Sequence, residues 1–160
     1  MRTMQGILGL AAAISVALGA RAASGADRAP LAQVLGITLG MPEARVHGTL
    51  ARLGTRAESE GEVESEGLER ELWMLRDRRY ASVQVVFDDE KRLRAFQAYL
   101  KPGGRGLRYQ EIGDLALARR LGYTIWQWEV PSREGKPGRR VIARGVDSTY
   151  AGSVAVTALP

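Results

Sequence analysis

Few side chains in this sequence can do chemistry of their own. His47 is the one histidine and there is no cysteine, which excludes a disulfide, a zinc–thiolate site and a thiol nucleophile. Serine-based hydrolysis would need His47 as its base, and no G-x-S-x-G elbow accompanies it. Beside Val46 and Gly48 it reads as an ordinary surface or boundary residue. Carboxylates are more plentiful. Glu58, Glu60, Glu62, Glu64 and Glu66 alternate with small residues, and Glu71 and the run Asp88, Asp89, Glu90 follow. Such spacing suits a hard cation, but the stretch lacks the Asp/Asn pattern and ordered glycine of a calcium loop and reads as a solvated loop. The same acids could supply the pair of a glycoside hydrolase, yet exposed loops and turns are poor places to raise a carboxyl pKa. Gly103-Gly104-Arg105-Gly106 lacks the lysine and helix of a phosphate loop and reads as linker. No catalytic residue, metal ligand or cofactor is therefore expected.

Binding chemistry is better represented. If Val83, Val85, Phe87, Phe96, Trp126, Trp128, Val154 and Val156 point inward, strand alternation sends Gln84, Gln97, Tyr99, Tyr123, Gln127, Arg140 and Arg144 to the opposite face. Tyrosine and arginine dominate binding energy at protein interfaces. Tyr99, Tyr123, Gln127, Arg140 and Arg144 are the candidate contacts. Charge is unevenly spread: Asp27 to Leu72 holds nine acidic and five basic residues, Trp73 to Pro160 nine acidic and sixteen basic. The basic half could attract an anionic glycan or lipid in place of a protein.

The elements that must position these residues follow from periodicity. Pro42 to Leu53 carries Val46, Leu50 and Leu53 as one apolar stripe, with Gly54 as its stop, and predicts a helix. Leu68 to Leu75, Tyr80 to Phe87 and Leu93 to Leu100 predict an antiparallel meander. Tyr109 to Leu121 predicts a second helix ending at Gly122, followed by strands at Tyr123 to Val130, Arg139 to Arg144 and Tyr150 to Leu159. The expected fold is α+β, with two helix-plus-three-stranded antiparallel units, 37–101 and 109–160, joined by a linker at 102–108 into one helix-on-sheet domain.

Ahead of this domain, Arg2, an uncharged apolar stretch and Ala20-Arg21-Ala22 have the order of a cleavable secretory signal over 1–22, with a second small-x-small triplet extending to Ala26. Residues 23–36 read as a flexible leader in which Leu31 to Leu35 form a short helix or cover the core. The mature protein is expected to be exported, periplasmic or extracellular. Export disfavours nucleic acid as a partner.

Ile37-Thr38-Leu39-Gly40-Met41-Pro42-Glu43-Ala44-Arg45-Val46, running to Leu53-Gly54, then Trp73, then Val85-Val86-Phe87-Asp88-Asp89 with Leu93, resembles a pattern of small bacterial envelope proteins. These are the outer-membrane assembly lipoprotein BamE (SmpA/OmlA) and the beta-lactamase inhibitory protein. The resemblance spans Gly36 to Leu100 and implies a protein-binding surface. The expected function is that of a non-catalytic envelope protein that binds an envelope protein partner through the uncovered sheet face. The chain departs from it in lacking a lipobox cysteine, in placing Pro42 after Met41, and in its long glutamate stretch.

Overall fold

The computed structural model describes residues 29–57, 70–104, 106–133 and 135–160. The expected signal over 1–22, the first part of the leader (23–28) and the glutamate stretch from Glu58 to Glu66 lie outside the described residues.

Alternating apolar residues build one dominant element. Strands β3 (Gly54–Arg56), β4 (Arg70–Leu75), β5 (Tyr80–Phe87), β6 (Leu93–Leu100), β7 (Leu107–Arg108), β8 (Arg119–Gly122), β9 (Ile125–Val130), β10 (Arg139–Gly145) and β11 (Tyr150–Ala158) form a single antiparallel nine-stranded sheet in the order β3-β4-β5-β6-β11-β10-β9-β8, with β7 also paired to β11. Two short helices accompany it, α1 (Glu43–Leu50) and α2 (Tyr109–Ile112), and a small hairpin of β1 (Gln33–Val34) and β2 (Ile37–Thr38) precedes them. The turn of that hairpin places both Leu35 and Gly36 at positive φ, 55° and 81°, the geometry of a two-residue hairpin loop whose twist matches its strands.

This corrects the expected α+β class: the described residues are mostly antiparallel β, 52% strand against 13% helix, and contain no two helix-plus-strand units. The second helix accounts for most of the difference. Apolar spacing over Tyr109 to Leu121 satisfies a helix, but the chain leaves helical geometry at Gly113, whose backbone is extended (φ −176°, ψ 171°). A Cβ at Gly113 would stand 2.9 Å from Trp128 Nε1 and 3.2 Å from Pro30 Cα, so close packing against the sheet requires glycine there, and glycine is also a poor interior helix residue. Beyond it, Asp114 caps a single 3₁₀ turn at Leu115–Leu117, and Arg119–Gly122 becomes the edge strand β8. Leu31 to Leu35 form no helix and instead cover the core, with Val34 buried and Leu31 and Leu35 packed against it. Gly54, expected as a helix stop, opens β3 instead. The segment expected as linker contributes β7, and β11 docks on β6, so the two sets of strands are hydrogen-bonded into one continuous sheet.

One face of the sheet is dry. Val83, Val85, Phe87, Phe96, Trp128, Val141, Val154 and Val156 are buried there together with Val46 and Leu50 of α1 and Tyr109 and Ile112 of α2. Pro42 joins Arg92 in a backbone bridge, and Glu43 N–H bonds to Lys91 O, which fixes α1 over the β5–β6 turn. At the other end Leu31 N–H bonds to Ile112 O and Arg139 Nη2 to Pro30 O, which closes the N-terminal segment over α2. Among the described residues no helix is long and apolar enough to cross a membrane.

Candidate functional site

The opposite face is read from the strand register. Met74, Ser82, Tyr99, Ser153, Arg144 and Ile125 are successive cross-strand partners and form one row; Leu72, Gln84, Gln97, Ala155, Ile142, Gln127 and Arg119 form the next; Arg140 and Glu129 end a third. Alternation on β4 puts Leu72 and Met74 outward, where they are 40% and 50% exposed, and Tyr99 is 37% exposed. Three large apolar or aromatic side chains thus share one end of this face with no described element over them. Tyr99 and Arg144 lie two strands apart through Ser153, roughly 10 Å at ordinary strand spacing. The Arg144 guanidinium meets no acceptor among the described residues.

Four of the five expected contacts, Tyr99, Gln127, Arg140 and Arg144, are brought together on this face. Two of these are occupied with each other's neighbour: Arg140 Nε donates to Glu129 Oε1 at 2.9 Å and Gln127 Nε2 to the same oxygen at 3.0 Å. Tyr123 stands apart in the β8–β9 turn, 70% exposed. The Arg120 guanidinium lies 5.4 Å from the ring centres of both Tyr123 and Trp126 and donates to the carbonyls of Gly122 and Tyr123. That is the covered side, because Trp126 pairs with Arg120 and packs against the core. Leu72 and Met74 are not singled out by the sequence, because both are apolar residues on a strand whose inward side is also apolar.

A second constellation sits on the covered side at the β3–β4 edge. Glu71 alternates inward with Trp73 and Leu75, and its side chain is fully buried. Burying a carboxylate costs several kcal/mol unless donors replace its water. Here they come from three elements. His47 Nε2–H of α1 donates to both carboxylate oxygens at 3.0 and 2.9 Å, Arg56 Nη1 of β3 lies 3.0 Å from Oε1, and Trp73 Nε1–H of β4 donates to Oε2 at 3.0 Å. The His47 ring packs 5.6 Å from Trp73 and edge-on to Phe87 at 5.7 Å. Glu43, one helical turn before His47, brings Oε1 within 3.8 Å of Nε2, and Lys91 Nζ lies 3.8 Å from its other oxygen. His47, expected as an ordinary surface or boundary residue, is therefore held in a charged cluster 24 residues from its partner. The available signal was Glu71 itself, an acid at an inward position of an alternating strand.

Two further acids shape turns. Asp88 Oδ1 accepts from the backbone N–H groups of Glu90 and Arg92 and shapes the β5–β6 turn. Asp77 does the same for the β4–β5 turn, and the N–H of Tyr80 is the main reason its carboxyl titrates below the ordinary range. Tyr109 OH donates to the carbonyls of Thr124 and Asp147, and burial pushes its phenol up.

Comparison with known proteins returned no matching family model, no matching curated protein and no matching solved structure.

Proposed function

We propose that this chain is an exported, non-catalytic binding protein of the bacterial envelope that presents the uncovered sheet face to a protein partner. The observation that carries the proposal is the register that sets exposed Leu72, Met74 and Tyr99 in neighbouring rows with Arg144, whose guanidinium has no acceptor among the described residues. A large apolar or aromatic anchor beside an unspent arginine is the composition that concentrates binding energy at interfaces. The pairing of Arg140 with Glu129 makes an anionic glycan or lipid the weaker alternative, since part of the positive charge on this face is already neutralised. Export rests on the order of charge, apolar stretch and small residues at the N-terminus, and the resemblance of Gly36 to Leu100 to BamE and the beta-lactamase inhibitory protein agrees with an envelope role.

The test is quantitative capture from a native envelope extract. The double variant Met74→Ser with Tyr99→Ala is expected to keep its melting temperature within a few degrees and to lose the captured protein, while Tyr123→Ala keeps it. Equal capture by all three proteins contradicts the proposal, and capture abolished by moderate salt in the parent protein indicates the charge-driven alternative.

A further inference from the structure

We propose that Glu43, His47 and Glu71 form a binding site for one divalent transition-metal ion of the zinc class. The site lies on the covered side and is independent of the face proposed above to bind protein. Its first support is the donor set: one imidazole and two carboxylates, with their ligand atoms all within 4.8 Å of one another. Tetrahedral bonds of about 2.0–2.1 Å to nitrogen and oxygen place ligand atoms roughly 3.3 Å apart. His47 Nε2 stands 2.9 Å from Glu71 Oε2 and 3.8 Å from Glu43 Oε1, both within about half an ångström of that spacing, and the carboxylates of Glu43 and Glu71 come within 4.8 Å of each other, a gap that side-chain rotation of Glu43 must close. The Nε2 proton lies between imidazole and carboxylate, the place an ion would take on displacing it.

The second support is the way the ligands are held. Trp73 Nε1–H fixes Glu71 Oε2 and Arg56 fixes Oε1, which is how ligating carboxylates are oriented by surrounding donors. Trp73 and Phe87 clamp the imidazole plane. Glu43 and His47 follow at i and i+4 on one helix, so a single rigid turn presents both. The site is closed on the Glu71 side, whose side chain is fully buried, and open on the other, where the side chains of His47 and Glu43 are 30% and 24% exposed. An ion can enter from that side and keep water as its fourth ligand.

Ligand chemistry selects the ion. An imidazole nitrogen with two carboxylates suits zinc, cobalt or nickel, whereas magnesium and calcium prefer oxygen alone and copper(I) prefers sulfur. Charge sets a limit on affinity. The two carboxylates supply −2, but Arg56 and Lys91 stand beside them, so the site should be weaker than one without cations at its rim.

Isothermal titration of the metal-free full chain with zinc chloride near neutral pH tests this. The expected result is one ion per chain with a dissociation constant in the micromolar range, weakened at least tenfold by Glu43→Gln and at least a hundredfold by His47→Gln, with magnesium giving no heat. Cobalt supplies a second readout through the visible bands of a four-coordinate ion. Circular dichroism of both variants confirms that they fold, and Glu43→Gln, altering a residue at the helix surface, keeps the test valid if His47→Gln does not. No zinc binding at millimolar ion, or binding unchanged in a folded Glu43→Gln variant, overturns the proposal and leaves the cluster as an ion pair that fastens α1 to the sheet.

Discussion

The two ends of the covered face solve the same problem with different chemistry. At the β3–β4 end the indole N–H of Trp73 donates to the buried Glu71 carboxylate, and α1 is fastened through His47 to that charge. At the β9 end the indole N–H of Trp128 donates to the backbone carbonyl of Asp114 at 2.7 Å, and the segment after α2 is fastened with no charge at all. The first arrangement depends on three donors staying in place around a desolvated anion. The second depends on fit, since Gly113 leaves no room for a side chain beside that indole. Substitutions and pH separate the two ends.

The largest effect is expected at the neutral end. Trp128→Ala removes the bulkiest fully buried side chain and should cost about 3–5 kcal/mol in chemical denaturation. At the charged end, Glu71→Gln turns one of the two acceptor oxygens into a donor facing the donors of His47, Arg56 or Trp73, and a loss of about 2–3 kcal/mol is expected. A Glu71→Gln variant as stable as the parent would mean that the cluster does not anchor α1.

Alkaline titration probes two tyrosines. Tyr80 and Tyr109 both have phenols raised above the ordinary value, in each case mainly by burial; the Asp147 carboxylate adds to this at Tyr109, while at Tyr80 the Arg79 guanidinium partly opposes it. A raised folded value means that the protonated phenol is favoured in the fold. The stabilisation is complete below pH 10 and is lost as pH rises from there through the folded values. Melting temperature followed from pH 9 to 12 should fall only in the upper part of that range, and Tyr109→Phe should flatten part of the fall. The smallest effect is expected for Glu129→Ala, which breaks an ion pair whose side chains are 45% and 49% exposed, and stability should change by less than about 0.5–1 kcal/mol.

Strand alternation made the meander β5–β6 and the inward parity of Trp128, Val154 and Val156 readable from sequence, because a period of two allows only one side to be apolar. The edge strands β3 and β8 were hidden for the converse reason: Gly54–Arg56 and Arg119–Gly122 are too short to show a period, and the arginines of β8 read naturally as a helix end. Apolar spacing over Tyr109 to Leu121 fits a helix locally, and only the tertiary approach of Trp128 and Pro30 to Gly113 decides against it. Tyr99 and Arg144 could be placed on one face from parity alone, whereas Tyr123 could not, since a turn ends the alternation. The His47–Glu71 contact joins a helix to a strand across a segment of no apolar periodicity, and nothing in local sequence brings them together.

The uncovered face as a protein-binding surface is tested most directly by site-specific photo-crosslinking in the native envelope. A benzophenone side chain placed at Tyr99 or Met74 should crosslink one protein of constant mass, and the same probe at Tyr123 should give little or none. Absence of a crosslink from Tyr99 and Met74, or equal crosslinking from all three positions, would contradict the account.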